Sequence, residues 1–307
     1  MLEAAFATRT AMPAYGPADF LTASAEDAVR RALAEDATAE DMTTRWSVPS
    51  SARAEARIIA REAGIVAGLP VVTEVYRQID AEVEVTISVG DTASIQAGDV
   101  LVRLDGPARS IITGERTALN FLQRMSGIAT MARHFVDAVG DLPARILDTR
   151  KTAPGLRALD KYAVVAGGAT NHRLNLSAMV LLKENHIAAA GGITAAIDAV
   201  RAGITTEARR VTVEVEVRNV AEAEEALRAG ADWIMLDNMS PDDIAQVVAL
   251  RDRSDHPHVN LEASGTVTTA TVRRIAQTGV DAISIGALTH SVHALDLSLL
   301  ISRTGTA

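Results

Sequence analysis

Two hydrophobic rhythms divide the chain. From Ala52 to Arg61 apolar and polar residues alternate, Ala-Arg-Ala-Glu-Ala-Arg at the start, which is the period of a strand buried on one face. Val83 to Val89 alternates in the same way, and Val100 to Leu104 follows the Gly98-Asp99 turn. Ser24 with Asp27 three residues on is close to a capping box and predicts a helix to Ala37. Pro70 opens a short helix through Ile79. Together these predict an α+β unit with an antiparallel sheet. Pro107 to Val139 reads as one long helix or two: Pro107 suits a first helical turn, and Gly127 marks a place for a break near Ser126.

From Arg145 onward the rhythm changes to short apolar runs between amphipathic stretches. The predicted strands are Arg145–Leu147, Met179–Leu182, Arg210–Val215, Trp233–Leu236, Val259–Leu261 and Ala282–Ile285. The predicted helices are Leu156–Val165, Ile193–Ala202, Ala221–Ala229, Pro241–Leu250 and Val267–Gln277. This alternation implies a parallel sheet covered by helices. Each strand runs into polar residues at its C-terminal end, the layout of the active face of a TIM-type barrel. Eight strands close a regular barrel and six are visible, so either two are cryptic or the barrel is incomplete. An open doubly wound sheet is the second architecture. It is weakened by the lack of a Gly-x-Gly-x-x-Gly loop after an early strand.

Composition narrows the function. Of 307 residues, 48% are hydrophobic but only 3% aromatic, so the core is built from Ala, Val, Leu and Ile. The formal charge of −9 argues against a nucleic-acid partner, which needs a broad basic surface. No cysteine is present, which excludes disulfides and thiolate metal sites and is compatible with a reducing cytoplasm. The first twenty residues lack a charged start followed by an apolar run, so no signal peptide is expected. No uninterrupted apolar stretch is long enough to cross a bilayer, so no membrane partner is expected.

Against that acidic background, the segment from Arg145 to Lys183 carries seven Lys or Arg and only two acids, Asp148 and Asp160. Arg150, Lys151, Arg173 and Lys183 fall at the ends of two neighbouring strands and in the loop between them. In a barrel they converge on a pocket for a small polyanion, since Arg meets carboxylate and phosphate through a planar fork and Lys as a point charge. Arg157 and Lys161 lie inside a helix and read better as a solvated face. Glu214, Glu216 and Asp237 end later strands and could hold ribose hydroxyls, orient Mg²⁺ or do acid–base work. Glu214 and Glu216 are two apart and point to one face, so one can pair structurally while Glu216, nearer the strand end, touches ligand. The loops Leu261 to Thr266 and Ile283 to Ala287 place Gly265 and Gly286 after the last two strands, where backbone N–H groups approach phosphate. His172 reads as a substrate contact. His186 ends a strand, with structure and function evenly weighted, and His290 and His293 lack a third metal ligand nearby.

These residues resemble the quinolinate phosphoribosyltransferase family, the decarboxylating nicotinate-nucleotide diphosphorylases (carboxylating in the reverse sense). The likeness is densest from Glu115 to Thr130. It continues through Thr149-Arg150-Lys151-Thr152 to Lys161-Tyr162-Ala163, Asn171-His172-Arg173 and Lys183-Glu184-Asn185-His186. Val213 to Val217, Met235 to Met239, Leu261 to Gly265 and Ile285 to His290 complete it. It implies an N-terminal α/β sandwich with its connecting helix over 1–127 and an incomplete TIM-like α/β barrel over 128–290. A tail over 291–307 would pack back on the N-terminal domain. It also implies an obligate homodimer and transfer of a phosphoribosyl group from phosphoribosyl pyrophosphate to quinolinate with Mg²⁺. The products are nicotinate mononucleotide, pyrophosphate and CO₂, in cytoplasmic NAD biosynthesis. Carried over by position, Arg150, His172 and Arg173, with Thr149 beside them, clamp the two carboxylates, and Arg116 joins them from the partner subunit. Lys151 and Lys183 meet quinolinate and the departing pyrophosphate. Glu216 and Asp237 hold ribose hydroxyls near the metal-bound co-substrate. Ser264, Gly265, Thr266, Ser284, Ile285 and Gly286, with His290 near, cradle phosphate. The chain departs from the family pattern at Ala169, at Asn175-Leu176-Ser177-Ala178 and at Thr266.

Three other readings compete. A paralogous group associated with molybdenum metabolism shares the implied fold but departs from the Asn-His-Arg and Lys-Glu-Asn-His motifs that are intact here. A class I aldolase would use Lys183 for a Schiff base. A non-catalytic anion-binding module would not need Glu216 and Asp237 opposite the cations.

Overall fold

The computed structural model describes the backbone of residues 17–306. The stretch read as lacking a signal peptide lies mostly outside the described residues. In chain order the strands are β1 Ala52–Ala60, β2 Gly64–Ile65, β3 Glu84–Ile87, β4 Ser94–Ile95, β5 Val100–Pro107, β6 Arg145–Leu147, β7 Val180–Leu182, β8 Val213–Val217, β9 Trp233–Asp237, β10 Asn260–Ser264, β11 Ala282–Ser284 and β12 Leu297–Thr306. The described chain forms two compact units. One comprises residues 17–133, 152–168 and 287–306, the other residues 134–151 and 169–286. This division differs from the sequence boundaries at 128 and 290: helix Arg157–Ala166 belongs with the N-terminal unit although it follows β6.

The N-terminal unit is built on a four-stranded sheet in the order β12-β1-β5-β3, antiparallel throughout. β1 alternates as its sequence requires: Ala54, Ala56, Ile58 and Ala60 are buried and Arg53, Glu55 and Arg57 exposed. β12 was not expected as a strand. It pairs with β1 from Ala52↔Thr306 to Ala60↔Leu297.

Helix boundaries needed two corrections here. The first helix runs Pro17–Glu35, so Ser24 lies inside it and does not cap it. Pro107 ends β5 instead of opening a helical turn. Of the one-helix and two-helix readings that follow Pro107, the structure takes the first: helix Ala108–Val139 is unbroken through Gly127. A Cβ on Gly127 would sit 2.1 Å from the His293 carbonyl oxygen, so the glycine serves close backbone approach and not a kink.

The second unit is a parallel sheet of six strands in the order β6-β11-β10-β9-β8-β7. β6 and β7 are its two edges, with one isolated bridge, Leu147↔Thr170. The count of six therefore reflects an incomplete barrel and not cryptic strands. Leu147, Met179, Trp233 and Ala282 form a buried apolar cluster. Helices Ile193–Thr206, Val220–Arg228 and Pro241–Arg253 fall where the apolar period placed them, the last two capped by Asn219 and Ser240. The expected helix Val267–Gln277 contracts to Val272–Ala276, preceded by a Thr268–Thr271 turn. His186 does not end a strand. It lies in helix Glu184–Ala190, where its Nδ1 accepts the Lys183 backbone N–H at 3.0 Å. No single described helix is long and apolar enough to cross a membrane.

Candidate active site

The strand register of the second unit decides which side chains meet. Glu216 lies opposite Met235, Glu262 opposite Met235 and Ala282, and Asp237 opposite Ser264. The strands are parallel, so their C-terminal residues gather at one end of the sheet. A cavity of about 190 Å³ opens there, bordered by Thr149, Arg150, Lys151, His172, Arg173, Lys183, Glu216, Asp237, Ser264 and Ser284, together with Leu181, Met235 and Glu262. Ten of the residues expected at the site thus share one wall.

Its cations are held in different ways. Lys183, half exposed, ion-pairs with Glu216. Arg173 is buried and donates through Nη1 to the Met179 carbonyl at 3.0 Å. Burial and the neighbouring Arg150 cation push the Arg173 guanidinium below its usual range, and Glu214 opposes them. Two guanidinium groups near enough to repel form a site that an anion stabilises. The buried Arg150 Nε and the Ser284 Oγ lack hydrogen-bond partners among the described residues, leaving donors for a ligand.

Below this wall lies a cluster of buried ionisable groups. The His172 backbone N–H donates to Asp148 at 2.7 Å, and its Nε2 lies 3.0 Å from Glu214 and 3.4 Å from Glu262. Both glutamates are fully buried. Glu214 and Glu216, two apart on β8, divide as their positions suggested: the first pairs with His172, the second with Lys183 at the cavity. Burial lowers the basicity of the His172 ring, and the Glu262 and Glu214 carboxylates push it back up. A hydrogen bond bears on the same question: the Arg173 N–H donates to His172 Nδ1 at 2.7 Å. An imidazolium would carry a proton on that same Nδ1. The hydrogen bond decides for a ring protonated on Nε2 alone, because two donors cannot face each other at that distance. Burial, and then the charge of Glu262, push the Glu214 carboxyl up to about 7.

The glycine loop after β10 is geometrically specific. Gly265 has φ 130°, and a Cβ there would lie 2.4 Å from Asn238 Oδ1. Asn238, itself at φ 53°, donates its backbone N–H to the Ser264 carbonyl at 2.9 Å. Gly265, Thr266, Ile285 and Gly286 flank the bordering residues Ser264 and Ser284 without themselves bordering the cavity. His290 and Arg116 belong to the N-terminal unit. His290 is exposed at the end of helix Ala287–His290, 2.7 Å from Ser291 Oγ. Arg116 borders a separate cavity of about 570 Å³ within that unit, with Arg31, Asn120 and Arg124. Lys161 departs from its expected solvated face: it is buried, while Arg157 Nε donates to Thr152 Oγ1 at 3.0 Å.

Glu262 and Asp148 were visible in the sequence as strand-end acids but were given no role at the site. The available signals were positional: Glu262 lies two residues before Ser264 on one strand face, and Asp148 directly precedes the Thr-Arg-Lys run.

An α/β protein with an antiparallel N-terminal sheet, an incomplete parallel barrel and a cationic pocket at its strand ends is defined by these features. Profiles of the quinolinate phosphoribosyl transferase family match both parts, the N-terminal domain over residues 41–126 and the C-terminal domain over 128–300. The chain belongs to this family. It is 42% identical to the "Quinolinate phosphoribosyltransferase [decarboxylating] 1b" of Nicotiana tabacum, over 97% of this chain and 88% of that one. It is 45% identical to the chloroplastic "Nicotinate-nucleotide pyrophosphorylase [carboxylating]" of Oryza sativa subsp. japonica, over 89% and 76%. Among solved structures, the nicotinate-nucleotide pyrophosphorylase of Francisella tularensis superposes with a TM-score of 0.86 at 38% identity, covering 96% of this chain and 100% of that one. NadC from Streptococcus pyogenes gives 0.84 at 41%, covering 92% and 96%.

Proposed function

We propose that this protein transfers a phosphoribosyl group from phosphoribosyl pyrophosphate to quinolinate, releasing pyrophosphate and CO₂ and yielding nicotinate mononucleotide. The observation that carries the reading is the convergence of Arg150, Lys151, Arg173 and Lys183 with Glu216 and Asp237 on one cavity, in a chain of this family. Quinolinate is a dicarboxylate and its co-substrate a polyphosphate, so both need a cationic wall. Arg150 and Arg173 meet the carboxylates, with His172 and Thr149 beside them. Lys151 and Lys183 face the leaving pyrophosphate. As the pyrophosphate leaves C1 of the ribose, positive charge develops on the sugar, and Glu216 and Asp237 hold the ribose hydroxyls next to it. The ring nitrogen then bonds to C1. The cationic ring draws in the electron pair of the breaking bond when the 2-carboxylate departs as CO₂, and C2 takes a proton in its place. The protein contributes position and electrostatics. Ser264, Gly265, Thr266, Ser284, Ile285 and Gly286, with His290, form the phosphate side.

Mg²⁺ fits this donor set: the carboxylate oxygens of Glu216 and Asp237 border the cavity, and hard oxygens suit the ion. Bound through the co-substrate, it would neutralise pyrophosphate charge. We further read the protein as a homodimer in which Arg116 completes the neighbour's site, with higher assembly left open. The dimer reading rests on what the family resemblance implies for Arg116, which borders a cavity of the N-terminal unit. A cytoplasmic setting is compatible with a chain that has no cysteine.

The test is purified protein with quinolinate, phosphoribosyl pyrophosphate and Mg²⁺, followed for nicotinate mononucleotide and CO₂. Turnover of nicotinate equal to or better than quinolinate would overturn the reading.

A further inference from the structure

The buried group beneath the cavity supports a role that no substrate-facing residue supplies. His172 has both ring nitrogens turned inward, Nε2 toward Glu214 at 3.0 Å and Nδ1 accepting the Arg173 N–H at 2.7 Å. Its backbone N–H is fixed by Asp148 at 2.7 Å. Arg173 is tied in turn to the Met179 carbonyl at 3.0 Å. The His172-Arg173 pair is thus held from the end of β6, from β8 and from the residue before β7. Of the two carboxylates that face Nε2, Glu214 is the nearer, at 3.0 Å against 3.4 Å for Glu262. A ring turned the other way would leave the Arg173 N–H without its acceptor.

We propose that Glu214 is a positioning residue for the dicarboxylate. Its carboxylate holds the His172 ring so that Nδ1 fixes the Arg173 backbone, and the Arg173 guanidinium is thereby aimed at the cavity. Glu214 itself never meets the substrate. The proposal rests on the functional reading above for the identity of the anion.

The requirement is for an acceptor at the Glu214 position, which a glutamine carbonyl supplies and an alanine does not. In Glu214→Gln the KM for quinolinate stays within about threefold of wild type. In Glu214→Ala it rises about tenfold or more, the scale of one lost charge-assisted hydrogen bond, while the KM for phosphoribosyl pyrophosphate is unchanged. A merely structural role would move both KM values together, and that pattern overturns the proposal. So does a Gln variant as impaired as the Ala variant. If Glu214→Ala does not fold, the wild-type ring decides. ¹⁵N-histidine NMR of the intact protein without substrate should show His172 protonated at Nε2 and unprotonated at Nδ1 near neutral pH. A doubly protonated or Nδ1–H ring overturns the proposal. The ring measurement needs no turnover, so failure of wild type to use quinolinate would reject the functional reading and leave the ring orientation to be judged separately.

Discussion

Arg124 grips Asp160 through two parallel hydrogen bonds, from Nε at 2.9 Å and from Nη2 at 2.8 Å, across 36 residues of sequence. Asp160 is fully buried, and its Oδ2 also accepts the Ala153 N–H at 2.9 Å. The fork therefore fixes the segment that follows Arg150 and Lys151. Arg124→Ala strands a buried carboxylate and should cost about 3–5 kcal/mol of stability. Arg124→Lys keeps the charge but loses the fork and should fall between. Urea unfolding checks this, and an alanine variant within about 1 kcal/mol of wild type would refute the assignment.

Arg150→Ala and Arg173→Ala should each weaken quinolinate binding by about 2–5 kcal/mol, because a substrate carboxylate would be left buried without its cation. Isothermal titration measures it directly. Unchanged affinity in both variants would count against this pocket as the quinolinate site.

The Glu214 carboxyl, raised from 4.5 to about 7, makes stability depend on pH. Below 4.5 the group is protonated whether the chain is folded or not, and there is no penalty. As pH rises from 4.5 through 7 the unfolded chain ionises more readily, and folding loses up to about 3 kcal/mol. Glu214→Gln lacks this term. Its melting temperature relative to wild type should therefore climb between pH 5 and pH 8, and a flat or falling difference would contradict the raised pKa.

Arg116 tests the dimer. An inactive Arg116→Ala protein mixed with an inactive Arg173→Ala protein should form heterodimers with one doubly damaged and one intact pocket. Random exchange between closed two-fold dimers restores roughly a quarter of wild-type activity. Demonstrated exchange with no recovery would mean that Arg116 acts in its own subunit or that the pockets are coupled.

The barrel strands and their polar ends were legible because each short apolar run is framed by amphipathic helices, as around Trp233–Asp237. The cations of the cavity were legible as a charge anomaly in an acidic chain. The N-terminal unit was harder. Pro107 and Gly127 are locally ambiguous, and their outcome depends on long-range contacts: β1 beside Pro107, and the His293 carbonyl against Gly127. β12 was missed because Leu297–Thr306 gains its hydrogen-bond partners only from β1, far earlier in the chain. The roles of Glu262 and Lys161 depend on burial, which residue type alone does not report.

The β1–β12 pairing also bears on the order of events during synthesis. β1 emerges from the ribosome early and is flanked at once by β5, but its other edge must wait for Leu297–Thr306, made long afterwards. Until then the nascent sheet exposes an unpaired edge of the kind that recruits foreign strands. The unit that begins first is thus completed last, and a chaperone that shields β1 during translation would improve the yield of native protein.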